Sequence, residues 1–322
     1  MPAEPTPFIE MPRAAWAELA ATTAVVLNQA TIDTLRGIGD PTNELDVLEV
    51  FHPLAELIGQ YARNAAQLNR ETNEYLGFDV VIPEAEPERP TPFILGIAGS
   101  VAVGKSTVAR LVAELLRRSP GRPTVQLVTT DGFLLPNAEL AKRGLLEKKG
   151  FPDTYDTDAM LRFVVDVKSG RPKVSAPQYS HVIYDIVPGA QVVVDSPDIL
   201  VLEGLNVLQP PRWHGAGGDP VLSVSDFLDF SVYVDAEPGA IRRWFIERFL
   251  QLRSTAFTDP TSFFRQYAVL DDDEAIRQAG EVWDAVNGPN LTEHIEPTKT
   301  RATVIMSKGD DHSVQQVRIR KI

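Results

Sequence analysis

The segment Gly99-Ser100-Val101-Ala102-Val103-Gly104-Lys105-Ser106 fits the pattern G-x-x-x-x-G-K-[ST]. Glycines at that spacing let the backbone wrap a polyphosphate, its N–H groups turned inward at a helix N-terminus. Lys105 then supplies a point charge for β- and γ-phosphates, and the Ser106 hydroxyl can ligate Mg²⁺. All eight residues are expected to bind ATP. Phosphoryl transfer needs more: a second metal-facing carboxylate, a group that orients the attacking hydroxyl, and positive charge for the group in flight. Two acids end apolar runs and precede a glycine, Asp131 in Thr129-Thr130-Asp131-Gly132-Phe133 and Glu203 in Leu200-Val201-Leu202-Glu203-Gly204. Glu203 suits the Mg²⁺ shell and Asp131 the base that takes a hydroxyl proton. Either acid alone is as readily a turn or helix-cap carboxylate. The stretch Ser175 to Asp185 is dense in side chains that hydrogen-bond small polar ligands. It reads alternatively as a surface hairpin with Tyr179 and Tyr184 as packing aromatics.

The elements that must hold these groups are legible as patterns. Residues 93–98, 124–130, 198–203 and 229–234 are near-continuous apolar runs. Such runs belong to parallel strands covered on both faces. Helical spacing marks 106–116, 237–253 and 272–287, and residues 301–306 and 314–320 read as closing strands. Upstream, residues 1–12 read as a loose leader and 13–75 as helices. Trp16, Leu19, Val26 and Leu27 share one helical face; Val50, Leu54, Leu57, Ile58 and Tyr61 share another. Pro53 belongs in a first turn or at a kink. Residues 82–92 read as a linker and the Pro- and Gly-rich 209–220 as a mobile loop. The expected fold is a three-layer α/β phosphate-loop kinase with a mostly parallel sheet. Residues 1–92 form a helical extension and linker; 93–322 form the core, with a substrate and dimerisation region at 237–290, all in one domain.

Composition bounds the reading. The chain has 322 residues, 43% hydrophobic and 23% charged, which is ordinary globular composition. It has no cysteine, so disulfides, thiolate metal sites and thiol nucleophiles are excluded. A net charge of −13 argues against a nucleic-acid partner. It leaves ATP open, because local positive charge at the loop suffices. Neither a signal-peptide pattern nor an apolar run long enough for a bilayer stands out, so a cytoplasmic protein with no membrane partner is expected.

Several blocks in order then resemble one family. They are Gly96 to Ser106, Thr129 to Phe133, Lys148-Lys149-Gly150-Phe151-Pro152, Pro177-Gln178-Tyr179-Ser180-His181, Asp198 to Leu208, and Ala256-Phe257-Thr258-Asp259-Pro260. Together they are similar to bacterial type I pantothenate kinase, from about residue 10 to the end. The resemblance implies ATP-dependent phosphorylation of the pantothenate 4′-hydroxyl, the first step to coenzyme A. It also implies a homodimer and feedback binding of coenzyme A over the ATP site. It makes Asp131 the base, Lys105 the phosphate clamp, and Ser106 and Glu203 the Mg²⁺ residues. Arg248 would stabilise the transferring phosphoryl group. Tyr179, His181, Tyr184, Phe245 and Asn290 would hold pantothenate, with Phe257 and Phe264 walling its apolar end. Lys105, Arg110, His181 and Phe257 would hold coenzyme A. One position departs: the family commonly has Tyr where this chain has Phe245, which removes a phenolic hydrogen bond to the substrate. The alternative is another alcohol kinase of the superfamily, acting on uridine or phosphoribulose. A regulatory nucleotide switch would want an Asn-Lys-x-Asp motif, which is absent. A coenzyme A sensor without catalysis would not need Asp131, Lys105 and Arg248 together.

Overall fold

In the computed structural model, residues 6–20, 27–77, 91–211 and 222–321 are described. Among them the strands are β1 (Phe8–Pro12), β2 (Phe93–Gly99), β3 (Val125–Thr129), β4 (Val174–Ser180), β5 (Asp185–Val194), β6 (Ile199–Gly204), β7 (Phe230–Ala236), β8 (Val304–Lys308) and β9 (Val314–Arg320). Seven of them form one sheet in the order β1-β9-β8-β7-β2-β6-β3. From β8 to β3 every neighbouring pair is parallel; β9 alone runs the opposite way, pairing antiparallel with β8 on one side and with β1 on the other. Side chains alternate across a sheet, and every residue of β2 and β6 is buried, so both faces are covered. The expected layered α/β kinase fold with a mostly parallel sheet is what forms.

The Lys105–Arg118 helix follows β2 directly and buries Val108, Leu111, Val112, Leu115 and Leu116. Residues before 78 join the same core. Phe8, Trp16, Leu27, Ile32 and Val50 are buried in one hydrophobic cluster with the strands. The Trp16 indole N–H donates to the Val50 carbonyl (3.0 Å), so its one polar atom is satisfied. Phe249, Phe257, Ala275 and Ala279 make a second cluster between the Pro238–Arg253 and Asp272–Val282 helices.

Three local expectations are revised. Residues 8–12 are not a loose leader: they pair with β9 as an edge strand, Phe8 opposite Arg320. No single helix joins Trp16 to Leu27. The Arg13–Ala17 helix stops, and a new one starts at Gln29, where the Asn28 carboxamide accepts the Thr31 N–H (2.9 Å). Leu19 is consequently exposed, and Val26 lies outside the described residues. The strand expected at 301–306 starts at Val304. Residues 174–194 are an antiparallel hairpin, β4 with β5. Pro53 lies in the first turn of the His52–Leu76 helix, immediately after a π-helical turn, Val47–Phe51. The missing proline N–H and its ring disturb the ordinary hydrogen-bond ladder there. Most of the expected linker at 82–92 and loop at 209–220 lies outside the described residues.

Candidate active site

The parallel register brings three strand ends to one edge. Ile97 of β2 and Thr129 of β3 both lie opposite Glu203 of β6. Ligands of open α/β sheets bind at this carboxyl edge. Beyond β2 the chain turns through 99–104 into the helix, and Gly104 takes φ +95°. That conformation suits glycine and aims successive N–H groups into the loop. The Ser106 hydroxyl donates to a Glu203 carboxylate oxygen (3.1 Å), and the Lys105 ammonium lies 3.3 Å from the same atom.

Two close approaches set Asp131 beside this group. A β-carbon on Gly204 would stand 1.7 Å from Thr130 Oγ1, and one on Gly132 would stand 2.1 Å from the Pro177 carbonyl. Both glycines therefore permit contact: the first brings the end of β3 onto the end of β6, the second brings β4 onto the turn that carries Asp131. The Asp131 amide is capped by the Thr129 hydroxyl (3.3 Å). Burial, then the Glu203 charge, raises the Asp131 carboxyl above the usual aspartate range, against Lys105, His181 and Lys149. A carboxylate poised in this way is a suitable general base.

On the far side of Asp131 the β4–β5 hairpin presents rings. His181 Nε2 is 3.9 Å from Asp131 Oδ2, and its side chain is 78% exposed. Enclosure at the mouth of the cleft lowers its pKa although the ring is open to solvent, Arg248 and Lys105 add to that, and Asp131 opposes. Tyr179 meets His181 edge-on (5.2 Å) and Tyr184 (6.3 Å). Tyr184 meets Phe264 (4.8 Å), and Phe264 meets Phe257 (5.1 Å). Phe245 is half-buried against Trp283 (5.6 Å) and touches both hydrophobic clusters. Asn290 is buried with its amide donating to the Gly150 carbonyl (3.0 Å), while its Oδ1 has no partner. Arg248 lies at the exposed rim. Enclosure by the cleft, then Arg110, lowers its pKa against Glu203 and Asp40, which places all four groups in one electrostatic neighbourhood. Arg110 donates through Nε to the Leu35 carbonyl.

Residues 94–253 match the model of the phosphoribulokinase / uridine kinase family. The chain is 57% identical to a pantothenate kinase of Cutibacterium acnes over 99% of its own length and 96% of that protein's. It is 49% identical to one of Mycolicibacterium smegmatis over 100% and 99%. The chain belongs to the pantothenate kinase family. The family resemblance read from the sequence blocks is thus borne out. A solved D-glycerate 3-kinase from Cryptococcus neoformans shares the fold, at TM-score 0.50 and 12% identity over 81% of this chain and 97% of that one. No helix among the described residues is long and apolar enough to cross a membrane.

In this pantothenate kinase family member, three groups at the site carry no expectation from the sequence. Lys149 is buried beside Tyr179 and Tyr184. Asp40 and Lys308 flank Gly104, and the Lys308 ammonium donates to the Val103 carbonyl of the phosphate loop (3.3 Å). The lysine of the Lys-Lys-Gly-Phe-Pro block was a visible signal without an assignable partner. Asp40 and Lys308 lie far from the loop in sequence, so only the fold joins them to it.

Proposed function

We propose that this protein transfers the γ-phosphoryl group of ATP to the 4′-hydroxyl of pantothenate, the first step of coenzyme A synthesis. The observation that carries the reading is one constellation: Lys105, Ser106 and Glu203 within hydrogen-bond or ion-pair reach, with Asp131 between them and a ring-lined hairpin. A hydroxyl beside a carboxylate is an oxygen donor set that fits Mg²⁺. When bound there, the ion would neutralise charge on the phosphate oxygens. Backbone N–H groups of 99–106 and the Lys105 ammonium hold the polyphosphate. Asp131 accepts the proton from the attacking hydroxyl, and Arg248 stabilises charge as the phosphoryl group passes. Tyr179, His181, Tyr184 and Asn290 orient the acceptor. Phe245, Phe257 and Phe264 wall its apolar part and exclude water.

Coenzyme A, which carries phosphates and a pantetheine arm, fits the same cleft through Lys105, Arg110, His181 and Phe257. Inhibition by competition with ATP, a homodimer and a cytoplasmic location complete the proposal. Replacement of Lys105 by methionine tests it. The Lys105→Met variant should lose on the order of 10³-fold in kcat/KM for pantothenate-dependent ADP formation, because catalysis here is mainly electrostatic. Retention of a tenth of the wild-type rate would remove the phosphate-loop assignment.

A further inference from the structure

We propose that Lys149 is the positioning residue for the acceptor side of this site, locking the turn at Tyr184 so that the Tyr179–Tyr184 wall stands beside Asp131. The proposal rests on the site being an alcohol kinase. The Lys149 side chain is buried and reaches out of its own segment to the hairpin. Its ammonium donates to the Tyr184 carbonyl (2.5 Å) and to Asn137 Oδ1 (2.6 Å). Asn137 closes the ring: its amide donates to the same Tyr184 carbonyl (3.0 Å), and its backbone N–H donates to Asp185 Oδ1 (3.0 Å). The ammonium also sits over the rings of Tyr184 (4.3 Å to the centroid) and Tyr179 (5.0 Å).

What this network holds is costly to hold. Tyr184 has φ +52°, a left-handed conformation that a bulky residue keeps only when its surroundings fix it. The turn is tied onward, since the Phe263 N–H donates to the Val182 carbonyl (2.8 Å). Lys149 therefore sets where Tyr184 meets Phe263 and Phe264. Two of its three hydrogens are spent on protein acceptors and the third faces the rings, so it acts through the turn and not by contact with substrate. A methionine would fill much of the same volume without burying a charge, so packing alone does not account for a lysine here. The groups facing it are the carboxylates of Asp185 and Asp131 and the two phenols. Burial lowers the Lys149 pKa to about 8, against Asp185 and Asp131. Burial raises both phenols, that of Tyr184 to about 12, so they stay neutral where Lys149 titrates. Above that pH the ammonium loses its proton and its cationic hold on the turn weakens.

The full-length chain and its Lys149→Met and Lys149→Arg variants are assayed with ATP and pantothenate across neutral and alkaline pH, with melting temperatures alongside. Lys149→Met should raise KM for pantothenate about 10- to 100-fold and leave KM for ATP within about twofold, as expected for loss of charged hydrogen bonds on one side of the site. Wild-type KM for pantothenate should climb as pH passes about 8. Lys149→Arg, whose guanidinium stays charged, should remove that climb. An unchanged KM for pantothenate in Lys149→Met, or equal losses toward ATP and pantothenate, overturns the proposal. If Lys149→Met does not fold, the arginine variant decides: a flat profile supports the role, and a climb like that of wild type refutes it. Wild-type protein that transfers no phosphate to pantothenate would instead sink the site reading itself.

Discussion

Gly204→Ala isolates the contact that brings the two acids together. The added methyl would lie 1.7 Å from Thr130 Oγ1, 2.8 Å from its Cβ and 2.9 Å from its Cγ2. Thr130 is wholly buried, and its backbone leads straight into Asp131, so little can give way locally. One methyl forced into a packed core costs about 1–3 kcal/mol, and a contact this short places the variant near the top, about 3 kcal/mol. In a chain of 322 residues that corresponds to a melting temperature lower by roughly 4–5 °C. Relief comes from moving the end of β3 off β6, which draws Asp131 from Glu203. A displacement near 1 Å at a reacting group costs about 10²-fold in turnover. Differential scanning fluorimetry and an ADP-release assay read the two effects. Thr130→Ala in the same chain deletes Oγ1 and Cγ2 but leaves Cβ in place, so it should restore part of both losses. A Gly204→Ala protein that melts and turns over like wild type would refute the close-approach argument.

Asp131→Asn should cut kcat about 10²–10⁴-fold with ATP affinity nearly unchanged, as expected for loss of a general base. A large loss of ATP binding with a modest loss of kcat would make Asp131 a metal ligand instead. The same variant has a stability signature. Burial raises the Asp131 pKa, so its contribution to stability is present below the ordinary value of 3.8 and lost as pH rises through the folded value. Asp131→Asn should therefore melt above wild type at neutral pH, and the difference should vanish in acid; a lower melting temperature at neutral pH would contradict this. Phe245→Tyr should lower KM for pantothenate by roughly two- to tenfold, the range of one added hydrogen bond, with KM for ATP unmoved. An unchanged or higher KM for pantothenate would mean that the half-buried ring has repacked against Trp283.

What could be read before folding followed from local pattern. β2 and β6 announce themselves because strands covered on both faces must be apolar throughout. The phosphate loop is legible because its glycines, lysine and hydroxyl are contiguous. β1 was not legible: of Phe8–Pro12 only Phe8 is buried, and the partner β9 lies at the other end of the chain. An edge strand with one buried residue carries too little alternation to stand out from a leader. The Arg13–Ala17 helix ends well before Leu27 and the Asn28 cap starts a separate one, so the plausible helical spacing of Trp16 and Leu27 does not mark one helix. At the site, Asp131 and Glu203 could be picked out as strand-ending acids. That Gly132 and Gly204 are where neighbouring chain presses in could not. Lys149 has the same character, since its importance lies in the Tyr184 carbonyl, a backbone atom that no side-chain pattern records.

The most direct test supplies ATP labelled in its γ-phosphoryl group to the purified protein with pantothenate, uridine or ribulose 5-phosphate as acceptor, and follows where the label goes. The account predicts labelled phosphopantothenate, carried on the primary hydroxyl, with no comparable transfer to the other two. Transfer to uridine or ribulose 5-phosphate in preference to pantothenate would contradict it.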